Sequence, residues 1–384
     1  MDSTKEKEKE LGEVELELDE RLRLARTERY ACQSIVREVF PSERVAICLR
    51  NRIKVFNEYD GIKVWRHKKT SKAFYSGLMV CGSVWLCPVC AAKISERRRR
   101  ELQQAFEQHK KDGGQIALLT LTFSHKRFDA LKDILNLFSK ATEKFMSGRA
   151  FQNIRAEMGL IGRVRALEVT YSDANGFHPH AHIALFYTNK VNLNDIEEQM
   201  YVLWKKACSK VGLTIDRKHG ISLEKGEKAD DYIAKHGKWG IDHELTKAHI
   251  KKAKFKSLTP FDFLRNYLAT EDKRYLILFK EYAECFKGKR QLQWSQGLKQ
   301  KFVMEEKNDE QLAKEQTEQA DLLGLIDYWI WKDILKQNKR SYFLDLCETK
   351  SFEEALENIA EYKKQRIKKA KSLCEELDRK SNIK

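Results

Sequence analysis

The sequence predicts an α+β fold, an antiparallel sheet with helices packed on it, and three observations carry that reading. Residues 115–123, 163–172, 177–187 and 219–224 read as strands; the first, QIALLTLTF, is a continuous apolar and β-branched run between Gly113-Gly114 and Ser124-His125. Residues 129–158 and 193–212 carry helical spacing, as in Leu131, Ile134, Leu135, Phe138 and Ala141, and would cover the sheet. The strands at 163–172 and 177–187 flank Ala174-Asn175-Gly176, a three-residue loop with glycine in the left-handed position, so they form a hairpin.

Composition bounds the partners. The 384 residues suffice for a large core and more than one domain. Lys+Arg 73 against Asp+Glu 57 leaves a net charge of +16, which favours a polyanion, nucleic acid first. No apolar run of about 18 residues occurs and the N-terminal stretch is charged, so a cytoplasmic protein without a membrane partner is expected. Nine cysteines, an odd count, fit thiols or metal ligands better than a disulfide framework. No phosphate-cradling glycine loop and no repeat is visible, which argues against an ATP-driven helicase domain.

Residues 1–40 are rich in Glu, Lys, Arg and Leu and read as a charged helical segment. Residues 41–110 begin with short β-like runs, Val45 to Leu49 and Ile62 to Trp65, and lead to CGSVWLCPVC. Cys87 and Cys90 form a C-x-x-C knuckle with Cys81 six residues upstream, a spacing that presents thiolates to zinc. Tetrahedral closure needs a fourth ligand; Cys48 and His67 are the candidates, and Cys48 is preferred. A redox role is less consistent, because no βαβ pattern surrounds the motif. The helix that follows carries Arg97, Arg98, Arg99 and Arg100, which either meet phosphate or form a solvated face.

The hairpin carries the chemistry. Alternation places Val164, Ala166, Glu168 and Thr170 on one face of its first strand and His178, His180 and His182 on one face of its second. Pairing Asp173 with Phe177 sets Glu168 opposite His182 and Thr170 opposite His180. Two imidazoles and a carboxylate then form a three-ligand set with open positions for phosphate and water. The helix 193–212 starts near a possible Asn194 cap. Farther on, KADDYIAKHGKWG reads as a helix ending near Gly237, with Tyr232 and Lys235 on one face; such a tyrosine is by itself ordinary amphipathic packing. FKGKRQLQWSQGLKQ mixes Lys289, Arg290 and Trp294, the composition of a surface that neutralises phosphates and stacks on bases. Residues 301–384 read as a helical appendage, with DLLGLIDYWIWKDILK its one strongly apolar helix.

LLTLTF, LEVTY followed by HPHAHIALF, and then YIAK, in that order, resemble the rolling-circle plasmid replication initiators of the HUH endonuclease superfamily. CGSVWLCPVCAAKI, ELTKA, TPFDFL and KGKRQLQWSQGL extend the likeness over roughly residues 45–300. The resemblance implies a ferredoxin-like antiparallel sheet with the histidines on a central strand, forming a nickase domain over residues 111–300. It implies Mg2+ or Mn2+ held by His180, His182 and a third ligand, Glu168 or its competitor His178. It makes Tyr232 the nucleophile on single-stranded origin DNA and Lys235 its electrostatic helper, leaving a 5′-phosphotyrosine and a 3′-hydroxyl primer for host polymerase and helicase. Where some initiators carry a glutamate about four residues before the tyrosine, this chain has Lys228, so the termination step is unassigned. Two other functions share these features: a related nuclease of transposition or conjugative transfer, and a non-catalytic, zinc-containing DNA-binding protein.

Overall fold

A computed structural model describes residues 3–54, 61–226, 257–314, 320–361 and 364. The chain divides into two compact units, residues 82–313 and residues 1–81 with 314–384.

Unit 82–313 is built on a five-stranded antiparallel sheet with strand order β6-β3-β5-β4-β7. Its strands are β3 (Gln115–Leu121), β4 (Leu160–Ser172), β5 (Gly176–Tyr187), β6 (Ile221–Lys225) and β7 (Leu292–Trp294). β3 and β5 are inner strands, which is why β3 and residues 183–187 of β5 read as nearly unbroken apolar runs. Alternation sends Ile116, Leu118, Val164, Ala184 and Phe186 to one face, where they pack with Leu102, Ala105 and Phe106 of helix α2 (Pro88–Lys111). Leu119, Ala181, Ile183 and Leu185 point the other way and are completely buried. That second face is covered by α3 (Leu131–Ser147) and α5 (Leu193–Ser209), whose Phe138 and Trp204 meet edge to face, with ring centroids 5.9 Å apart.

The expected α+β class with an antiparallel sheet is what the chain adopts, with local corrections. Helical residues 129–158 split into α3 and α4 (Arg149–Met158) at Gly148, whose ψ of 152° is extended and breaks the helical ladder. The cap of α5 is Asn192, whose side chain accepts from the Asn194 N–H, so the helix starts two residues earlier than an Asn194 cap would set. β7, inside the Lys/Arg/Trp stretch, pairs with β4 as the sheet edge.

The hairpin register differs by one residue on each strand. Ser172 pairs with Gly176, not Asp173 with Phe177, so Glu168 stands opposite His180, Thr170 opposite His178 and Ala166 opposite His182. The turn is Asp173-Ala174-Asn175, and Gly176, with φ +75°, opens the returning strand. A Cβ there would lie 2.2 Å from the Arg127 carbonyl oxygen, so backbone strain and contact both require glycine. Gly176→Ala should therefore destabilise this unit by about 2 kcal/mol or more. Denaturant unfolding checks this, and an unchanged midpoint would show that the turn tolerates a side chain.

The other unit joins the chain ends. Helix α1 spans Ser3–Val39, and Arg26 on it pairs with Asp345 and, at 2.6 Å, with Glu348 of the helix Arg340–Thr349. Val45 to Leu49 is not a strand: Arg44–Ile47 is a turn of 3-10 helix, with Val45 buried. The apolar helix expected over DLLGLIDYWIWKDILK is a strand and a helix. β8 (Ala320–Ile326) pairs with β1 (Ile62–His67), which also pairs with β2 (Ala73–Ser76), and only Tyr328–Lys336 is helical, started by the Asp327 cap. Among the described residues, no helix is long and apolar enough to cross a membrane.

Candidate metal centres

Glu168, His180 and His182 come together on the α2 face of the sheet, offering ligand atoms that lie within 4.8 Å of one another. Central position explains this: β5 is flanked by β3 and β4, so its inward side chains are shielded, and Glu168 and His182 are buried. Glu168 Oε2 lies 3.5 Å from His180 Nε2 and 3.9 Å from His182 Nε2. Each ring is held from behind. His180 Nδ1 donates to the His178 carbonyl at 3.0 Å, and His182 Nδ1 lies 3.0 Å from Thr120 Oγ1. A donating Nδ1 leaves the Nε2 lone pair of His180 for a cation, and the backbone carbonyl behind it fixes the ring's tautomer and orientation, as is usual for metal-bound histidine.

The donor spacing fits an octahedral divalent ion. Octahedral bonds of about 2.1 Å put neighbouring ligands about 3 Å apart and opposed ones about 4.2 Å apart, a range that spans the observed separations. Burial pushes the His180 imidazolium pKa down, but the hydrogen bond and charge of Glu168 outweigh it and hold the group above its ordinary value. Glu168 thus stabilises positive charge where a cation would sit.

His178 shares the face but lies outside this grouping. Its Nδ1 lies 2.8 Å from His125 Nε2, and its ring stacks on Phe123. Burial, then His180 and His125, push its pKa down to about 3, so it stays neutral. His125, just beyond β3, is the partner that the sequence pattern did not single out; only its place after an apolar run marks it.

Cys48, Cys81, Cys87 and Cys90 are all buried, and the four thiols are a set that could hold a metal ion. Cys87 is the N-cap of α2, accepting from the Cys90 N–H at 3.5 Å, and the Cys81 N–H donates to Cys48 Sγ at 3.4 Å. Backbone N–H groups directed at sulfur are what thiolate ligands attract. Cys208 and Cys347 contrast with them: burial pushes both up to about 12, and they are apolar packing.

The model of the replication protein family matches residues 77–343. The chain belongs to this family. "Protein rep" of Streptomyces lividans is 28% identical over 291 residues, 58% of this chain and 64% of that protein. "Neomycin resistance protein" of Streptomyces cyanogenus is 31% identical over 130 residues, 28% of this chain and 30% of that protein. "Protein rep" of Lactiplantibacillus plantarum is 23% identical over 278 residues, 67% of this chain and 78% of that protein. The chain thus spans less than two thirds of the first two relatives. No solved structure matches.

In this member of the replication protein family, Tyr232, Lys235 and Lys228 lie outside the described residues. The basic candidates are partly engaged within the fold. Arg98 pairs with Asp309 and reaches Gln291 at 3.0 Å, while Glu96 accepts from Arg99 and Arg100. Trp294 packs against the α2-side core with the Lys299 ammonium 5.5 Å from its ring centroid. Lys289 and Arg290 stand in the connection leading to β7, which Trp85 anchors by donating to the Lys289 carbonyl at 2.5 Å.

Proposed function

We propose that the protein initiates rolling-circle replication of a plasmid by nicking one strand of origin DNA in the manner of HUH endonucleases. The observation that carries this reading is the set of Glu168, His180 and His182, the first and last of them buried, on the sheet of a chain from the replication protein family. Mg2+ or Mn2+ bound there would supply charge to polarise the phosphoryl oxygens of the scissile link. Tyr232 attacks phosphorus through its phenolic oxygen, loses its proton, and forms the new P–O bond as the bond to the 3′ oxygen breaks. The departing oxygen takes up a proton and becomes a 3′-hydroxyl that a polymerase can extend, while the 5′ phosphate stays on Tyr232. Lys235 places its ammonium near the charge that develops. Host helicase recruitment would follow the nick.

The test is incubation of the protein with end-labelled single-stranded origin DNA and Mn2+, then a denaturing gel. A protein-linked DNA band that disappears with chelator is expected. Cleavage without any covalent adduct would exclude tyrosine chemistry.

The four-cysteine grouping is proposed to hold structural zinc. Freshly purified protein should carry about one zinc per chain by elemental analysis, and Cys87→Ser should lose the metal and most soluble yield. Zinc-free protein with normal unfolding behaviour would remove the site.

A further inference from the structure

A cavity of about 250 Å³ lies on the α3 face of the sheet, the side away from Glu168, His180 and His182. Three cationic side chains line it, Arg165, Lys289 and Arg290, with the polar Ser139 and Gln293 between them and Phe138 among its apolar residues. No carboxylate lines it among the described residues. Arg165 reaches it by strand alternation: Glu168 and Ala166 point to the α2 face, so Arg165 points to the other, directly across the ladder from Gln293.

Arg165 is the unusual member. Its Nε is shut off from solvent and has no hydrogen-bond partner among the described residues. Burial, followed by repulsion from Arg163, pushes its guanidinium pKa down. A half-buried cation with an orphaned donor and a like-charged neighbour is costly unless an anion completes it. The size is below that of drug-sized pockets, about 300–1,000 Å³, and suits a phosphate group with part of its sugar. A flat guanidinium fork with a serine hydroxyl and an amide beside it matches tetrahedral oxygens better than a planar ring.

We infer that this cavity is a phosphate-binding pocket, separate from the nicking chemistry and on the opposite face of the sheet. Either a backbone phosphate of bound DNA or a small phosphate ester supplies that chemistry. The pocket sits beside the edge strand β7, so a strand leaving the α2 face around that edge would pass it.

The test uses the full chain, without added divalent ions, so that it reads equilibrium binding and is independent of cleavage by Tyr232. Affinity for a labelled 20-nucleotide single strand is measured across a KCl series for wild type, Arg165→Gln, Arg290→Gln and the control Lys140→Gln. Lys140 is an exposed lysine of α3 that does not line the cavity. Melting with and without pyrophosphate is measured on the same four proteins. For a backbone phosphate, both arginine variants should bind the strand several-fold more weakly. Their salt slopes should be shallower by about 0.7 each, with the control unchanged. For a small phosphate ester, the slopes should match the control while pyrophosphate raises the melting temperature of wild type and not of the arginine variants. Slopes equal to the control together with no pyrophosphate shift in wild type would overturn the pocket. Arg290 is exposed in a loop, so its variant keeps the test decisive if Arg165→Gln fails to fold.

Discussion

Tyr232→Phe should abolish nicking and the covalent adduct, a loss of at least about 10³-fold, while zinc content, Mn2+ affinity and single-strand affinity stay at wild-type values. The substitution removes one oxygen and keeps the ring, so packing and charge are preserved and only the attacking atom is lost. That selectivity separates the nucleophile from an amphipathic tyrosine that supports the fold, whose truncation would move stability before chemistry. It also separates initiation from a non-catalytic DNA-binding role, in which the variant and wild type would be indistinguishable on a denaturing gel. An adduct that persists in Tyr232→Phe would place the nucleophile on another residue. Lys235→Ala should reduce the nicking rate by less, because an ammonium that stabilises developing charge leaves the bond-forming atom in place.

The face shared by Glu168, His180 and His182 was legible because alternation is insensitive to the register of the turn. Opposed residues in the hairpin sum to 348 and not 350, and a shift of two preserves which residues share a face. Even-numbered Glu168, His180 and His182 therefore stay together, although the direct partner of Glu168 changes from His182 to His180. A shift of one would have turned the carboxylate away from the imidazoles. What was illegible depends on distant pairing. DLLGLI carries enough leucine to read as helix, and only β1, more than 250 residues earlier, supplies the ladder that makes it a strand. Val45 to Leu49 is β-branched at its start yet curls into the 3-10 turn Arg44–Ile47, and Leu49 beyond it has φ +51°. Arg165 lies on the alternate face of RVRALEV, and nothing in the chain near it announces Lys289 and Arg290 as its neighbours.

Glu168→Ala should weaken Mn2+ binding by about 10²-fold, matching His182→Ala, whereas His178→Ala should cost no more than about 10-fold. Glu168 faces both Nε2 atoms, whereas His178 turns its Nδ1 to His125 and gives the site only the carbonyl that orients His180. A carbonyl survives side-chain truncation, so the loss in His178→Ala comes from packing around Phe123 and not from ligation. Titration calorimetry with Mn2+ reads all three variants, and pH adds an independent axis. Because Glu168 holds the His180 pKa above its ordinary value, a proton competes with the cation at that ring, and affinity should fall as pH drops through the His180 transition. Removing Glu168 lowers that pKa, so the fall in Glu168→Ala should begin at a lower pH than in wild type. His178 is already neutral down to about 3, so His178→Ala should leave the onset close to that of wild type. If His178→Ala instead costs more affinity than Glu168→Ala and moves the onset, the third ligand is the histidine, and the carboxylate serves to orient the rings.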